Sequence, residues 1–134
     1  MNRPSNKQLY VWGHNNRDQH GFGDDAVVLM ISNPRIKNVP GTTWTLVACG
    51  PFHTVALSSN GEVFTWGNGG SGRLGHGDRK NRNVPEKVEI PGGEAVVKVA
   101  CGESHTAAVT ATGTLFTWYV RNCNNFFIDH MNIG

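Results

Sequence analysis

Long apolar runs are missing from this chain: no stretch approaches the roughly 20 residues that a membrane-spanning helix needs. The opening segment Met1–Gln8 is polar and has no apolar core of the kind a secretory leader carries. Cysteine is scarce and odd in number, at Cys49, Cys101 and Cys123, widely spaced. Secreted domains stapled by disulfides carry more of it, in even number, so a reducing compartment, cytosol or nucleus, is expected. Strong charge of one sign is also absent. A net charge of +2 gives no concentrated basic face of the kind a dedicated nucleic-acid binder shows. The densest basic cluster, Arg79, Lys80 and Arg82, sits in one polar loop and reads first as a solvated turn. Helix-favouring stretches of Ala, Leu, Glu and Lys are scarce as well.

What is abundant is glycine, 17 of 134 residues, set between short β-branched and aromatic runs. That pattern predicts strands joined by tight turns, an all-β chain. Self-similarity then organises it. Val47-Ala48-Cys49-Gly50-Pro51-Phe52-His53-Thr54 recurs as Val99-Ala100-Cys101-Gly102-Glu103-Ser104-His105-Thr106, offset by 52 residues. Gly61 and Phe64-Thr65-Trp66 return as Gly113 and Phe116-Thr117-Trp118 at the same offset. Val11-Trp12-Gly13 and Gly21-Phe22-Gly23-Asp24 match Thr65-Trp66-Gly67 and Gly75-His76-Gly77-Asp78, now offset by 54.

Each period reads as four short strands, in the middle copy about Leu46–Cys49, His53–Ser58, Glu62–Trp66 and Glu86–Ile90. Val55 and Leu57 share one side of their strand, as Val63 and Thr65 do on the next, and Ser59-Asn60-Gly61 between them is a hairpin signal. Four strands without a helix make the blade of a β-propeller. The string Cys-Gly-x-x-His-Thr, Trp-Gly and Gly-x-Leu-Gly-x-Gly-Asp, standing here at Cys49–Thr54, Trp66-Gly67 and Gly72–Asp78, resembles the regulator-of-chromosome-condensation family. The expected fold is therefore a partial β-propeller of four-stranded antiparallel blades, about two blades plus flanking strands.

The expected organisation is a polar segment 1–8, repeats over 9–118 and a non-repeat tail 119–134. Within the repeats a half blade spans 9–45, a full blade 46–90 and a partial blade of three strands 95–118. Tyr119 stands where the repeat wants glycine. The family's closed ring is seven-bladed, so a chain of this length is expected to be a piece, a truncated product or a splice form. Open sheet edges imply self-association when it is produced alone.

The repeat signature, Trp12, Gly13, Cys49, Gly50, His53, Trp66, Gly67, Gly75, Gly77, Cys101, Gly102, His105 and Trp118, is assigned to structure. The tryptophans are expected between blades, the cysteines as small buried groups, and the histidines bonded to backbone near the hairpin. Cys49/His53 and Cys101/His105 have the residue types of a zinc site or a nucleophile pair, but each pair repeats with the blade, so the copies belong to neighbouring sheets. Gly67–Gly72 has the spacing of a dinucleotide fingerprint, yet Arg73–Asp78 is too glycine-rich to start the helix it requires. No metal, no cofactor and no enzymatic activity are expected.

Candidate partner-binding residues are Pro51 and Phe52, Glu103 and Ser104, and Arg79, Lys80 and Arg82, all in turns. Phe52 reads equally as an exposed anchor or as cover for an inter-blade gap. The expected function is a protein-binding repeat module in a regulatory or scaffold role. The resemblance adds two alternatives: part of an exchange factor for a Ran-type small GTPase, in which Phe52 and Ser104 with Glu103 fall on the GTPase-facing positions, or the propeller portion of a ubiquitin ligase or chromatin-associated protein. Nucleic acid and membrane are not expected partners for this chain alone.

Overall fold

The computed structural model describes residues 9–14, 30–37, 39–122 and 125–132, with side chains from 39 to 119. Met1–Gln8, Gly21–Asp24 and Cys123 lie outside them, as do the side chains of the first and last strands, Trp12 included. The described elements are all strand except one 3-10 turn at Pro91–Gly93.

β1 (Leu9–His14) and β2 (Met30–Lys37) form an antiparallel pair. β3 (Trp44–Cys49), β4 (His53–Ser58), β5 (Val63–Gly67) and β6 (Arg82–Lys87) form a four-stranded antiparallel meander in that order. β7 (Val96–Cys101), β8 (Thr106–Thr110), β9 (Thr114–Asn122) and β10 (Asn125–Asn132) repeat it. The register carries the repeat: Val55 faces Thr65 and Leu57 faces Val63 in the first sheet, as Ala107 faces Thr117 and Val109 faces Leu115 in the second.

Every residue of β4 and β5 is buried, because both faces of this sheet are covered. On one face Trp44, Ala56, Phe64 and Trp66 form a cluster, with the rings of Trp44 and Phe64 edge to face at 5.2 Å. On the other, Val55, Leu57, Val63 and Val88 meet Val96, Ala108, Phe116 and Trp118 of the next sheet. Alternation along each strand sends successive side chains to these two faces, so β4 is buried throughout, with the apolar Val55, Ala56 and Leu57 at its centre and His53, Thr54 and Ser58 at its ends. Burial of this size is the main drive for two sheets to pack face to face.

The hairpin at Ser59-Asn60-Gly61 is present, closed by Gly61 N–H to Ser58 O at 3.0 Å with Gly61 at φ 77°. Two strand boundaries differ from the sequence expectation. The fourth strand of the first blade runs Arg82–Lys87 rather than Glu86–Ile90; beyond it Val88 N–H still donates to Val63 O at 2.8 Å while its side chain buries in the core between the blades. The second blade has four strands, not three: β9 continues to Asn122 and turns back into β10, which pairs with it from Phe126↔Val120 to Asn132↔Thr114.

Gly75 and Gly77 both hold positive φ, 79° and 78°. A Cβ on Gly75 would stand 3.0 Å from Trp118 Cγ and 3.1 Å from Val88 Cγ1, whereas one on Gly77 would meet nothing. Gly77→Ala is therefore expected to cost about 1 kcal/mol through backbone strain alone. Gly75→Ala should cost distinctly more, because Trp118 must also shift. Equal melting temperatures for the two variants would contradict this packing.

Candidate functional site

The two blades meet along a seam built by the repeat signature. His53 opens β4 and is fully buried. Its Nε2 lies 2.7 Å from Thr106 Oγ1, the first residue of β8, and 3.3 Å from Cys101 Sγ at the end of β7. Thr106 donates its hydroxyl proton to Arg73 O at 2.6 Å, and Cys101 donates to Ala48 O. The hydroxyl and the thiol are thereby left as acceptors, so His53 carries its proton on Nε2 and donates it to the next blade. His53 and Thr106 are 53 residues apart, one more than the repeat period, so the histidine of one repeat bonds the threonine of the next. The backbones come close enough here that a Cβ on Gly50 would collide with Gly102 O.

The same seam fixes the chemistry of its titratable groups. Burial first, then the charge of Arg73, pulls the His53 pKa down from 6.5 to about 4. Burial pushes the Cys101 thiol up to about 12. These shifts oppose the thiolate–imidazolium state that a nucleophilic cysteine needs. Among the described residues no group of three or more His, Cys, Asp or Glu side chains is placed to hold a metal. Cys49, the repeat-mate of Cys101, is exposed rather than packed as a small buried group.

The His53 shift carries a sign that can be tested. Between pH 6.5 and about 4 the unfolded chain binds a proton that the folded chain refuses. The stability this site contributes is present above pH 6.5 and is lost as pH falls toward 4, by at most about 3 kcal/mol. His76, which burial also holds below its ordinary value, adds in the same direction. Melting temperature should fall across this window, and the fall should be smaller in His53→Gln. Equal falls in the two proteins would contradict the assignment.

The candidate contact residues gather at the same end of the blades as the seam histidine. Asn68 N–H donates to Phe52 O at 2.8 Å, joining the β3–β4 turn to the loop after β5. Ser71 of that loop lines a cleft of about 490 Å³ together with Ser104, His105, Thr117 and Tyr119. Pro51, Glu103 and Ser104 are exposed, as are Arg79 and Lys80. Phe52 is half-buried and lies over the Arg73 guanidinium, 5.0 Å from ring centroid to Cζ. The basic cluster is partly neutralised: Arg82 pairs with both Asp78 and Glu86. The hydrogen bond from Arg82 holds the Asp78 carboxyl below the usual range. Arg82 therefore belongs to the loop's own frame.

Trp118 is buried between the two blades, as the repeat implies, while Trp66 is buried in a cluster with Trp44, Ala56 and Phe64 of its own sheet. Trp118 stacks on Phe116 at 6.4 Å and lies against Gly75. What sequence reasoning missed was the partner of His53. It was expected on local backbone and is a side chain in the next repeat. The only available signal was the recurrence of His-Thr itself, at a spacing that lets one copy reach the other.

The sequence profile of the regulator of chromosome condensation (RCC1) repeat matches residues 7–57 and 60–109. The chain belongs to that family. Among curated RCC1-repeat relatives, the probable E3 ubiquitin-protein ligase HERC3 of Homo sapiens is 37% identical over 125 residues, which are 93% of this chain and 12% of that protein. The ultraviolet-B receptor UVR8 of Arabidopsis thaliana is 41% identical over 111 residues, 83% of this chain and 25% of the receptor. The chain thus spans a quarter or less of either relative. The structure of Prp20p from Saccharomyces cerevisiae, described with its binding to Gsp1p and histones, superposes with a TM-score of 0.72 over 86% of this chain and 30% of Prp20p. At 23% identity that likeness shows the RCC1 β-propeller fold. The module is accordingly an RCC1-repeat portion of a propeller, all-β, with antiparallel blades.

Proposed function

We propose that this RCC1-repeat module binds another protein, with the blades as rigid support and the turns at the His53 end as the contact surface. The observation that supports this is a division of roles within one short motif. Gly50 and His53 are consumed by the seam, while Pro51 beside them, and Glu103 and Ser104 in the next copy, stand exposed. Turns held on a fixed frame can vary without cost to the fold, which is what a recognition surface requires. Phe52, resting on Arg73, shapes the floor of that surface, and the outward cations are Arg79 and Lys80.

A Ran-type GTPase is the first partner to test, since Phe52 and Ser104, with Glu103 adjacent, occupy the positions that the family resemblance assigns to the GTPase-facing surface. The same turns would serve as the contact in a larger ligase or chromatin-associated protein. The full chain is titrated with nucleotide-free GTPase, as wild type and as Glu103→Lys and Lys80→Glu. Binding weakened about tenfold or more by either charge reversal, at unchanged melting temperature, is expected. Binding to which both variants are indifferent would overturn the assignment of the surface. Absence of any binding would remove the GTPase as the partner.

A further inference from the structure

The two blades part company at the end of the third strand. In the first blade β5 ends at Gly67, which pairs with His53 and holds φ 109°. A Cβ there would stand 2.7 Å from Phe52 O and 2.8 Å from His53 Cα, so the turn requires glycine. Beyond it the chain leaves the sheet, runs through the loop 68–81 and returns as β6. Trp66 pairs with Thr54 as Trp118 pairs with Thr106, so the residue in the place of Gly67 is Tyr119. A residue with a side chain cannot enter that turn. β9 runs straight on to Asn122 instead and returns as β10 from Asn125.

The loop that the second blade forgoes is the one that receives a neighbouring repeat. Arg73 O accepts the Thr106 hydroxyl at 2.6 Å. Gly75 seats the Trp118 ring so closely that an added Cβ would stand 3.0 Å from its Cγ. Leu74, 2% exposed, anchors the loop on its own blade by accepting from Thr65 Oγ1. On the second blade the threonine and tryptophan of an incoming repeat would meet neither that acceptor nor that seat. The margin of the face differs as well. Exposed Lys98, paired with Val109, stands where the first blade has Leu46 paired with Leu57. Covering it would draw an ammonium group out of water toward an apolar seam.

We propose that the β9–β10 hairpin makes the second blade a terminal one, whose outer face takes no further repeat through the seam that joins the first blade to the second. Tyr119 is the determinant, because it replaces the glycine that starts the receiving loop. Repeat arrays stack through matched neighbour interfaces and are closed by end units whose outer face does not continue the stack. The inference concerns the joint after β9 and applies to a repeat offered in the same chain or from another. It goes beyond the partner-binding reading and does not rest on it, although it leaves exposed Glu103, Ser104 and His105 open to a partner of another kind.

Two fusions of the full chain test it. In the first, a copy of residues 96–134 follows Gly134 through a flexible glycine–serine linker. In the second, residues 119–134 are replaced by a copy of residues 67–95, which restores the loop, and the copy of 96–134 follows. The added copy carries His105→Gln in both, so that the peptide bearing the original His105 is distinct. Exposed His105 is labelled with diethylpyrocarbonate and followed by mass mapping, since a seated repeat would cover it as the second blade covers His53. Labelling in the first fusion should match that in the parent chain. In the second it should slow about tenfold or more, and the denaturant slope, which grows with buried surface, should rise. Any protection of His105 in the first fusion would overturn the proposal, because the hairpin would then be no barrier. So would a second fusion that labels like the parent chain, because the loop would then not be what a following repeat needs.

Discussion

His53→Ala is expected to destabilise the chain by about 3 kcal/mol. Two effects combine: the fully buried ring leaves a cavity between the blades, and the hydrogen bonds to Thr106 and Cys101 are lost. Thr106 still donates to Arg73 O, so the loop after β5 keeps one tie to the second blade. The loss should therefore fall on the seam and leave the ladder within each sheet intact. Chemical denaturation read by tryptophan fluorescence and by far-ultraviolet circular dichroism measures it. A loss below about 1 kcal/mol would show that the seam does not depend on this histidine.

Trp118→Ala is expected to cost still more, about 3 to 5 kcal/mol. Trp118 is 2% exposed and stacks on Phe116. Its ring also forms the wall against which Gly75 of the preceding repeat is packed. Removing it hollows the same core that holds Val55, Leu57 and Val88. Because that core and His53 serve one interface, the double variant with His53→Ala should lose less than the sum of the single losses. Trp118→Phe, which keeps an aromatic ring over Gly75, should recover much of the stability.

How much of this could be read from the residues follows from which interactions are local. The periodic recurrence of His53 and His105, of Trp66 and Trp118, and of the hairpin glycines exposed the blade and its number of strands, because a repeated local geometry needs a repeated local sequence. The burial of Trp66 and Trp118 follows from the same recurrence. The strand Arg82–Lys87 was displaced in the reading because an outer strand is mostly exposed, needs little apolar side chain, and tolerates Pro85. Val88, which looks like strand, still donates its N–H to Val63 O while its side chain is buried at the seam.

The strand Asn125–Asn132 was invisible for a related reason. It pairs through its backbone with β9 and carries none of the repeat's motifs, although Phe126-Phe127-Ile128 has the composition of a strand. The candidate site was legible as a set of turns but not as a surface. That Arg82 would be held by Asp78 and Glu86, and that Phe52 would lie on Arg73, depends on how the loop after β5 folds back. The contrast between buried His53 and exposed His105 depends on a neighbouring sheet, which no local pattern encodes.

The measurement that bears most directly on the central claim, that the signature of each repeat is spent in bonding the next, is a double-mutant cycle between His53 and Thr106. Unfolding free energies of wild type, His53→Ala, Thr106→Val and the double variant are compared at pH 7.5. A coupling of about 1 kcal/mol or more is predicted, since the two fully buried side chains meet 2.7 Å apart. Losses that add to within about 0.3 kcal/mol would mean that the histidine and threonine act independently, and that the blades are held together by something else.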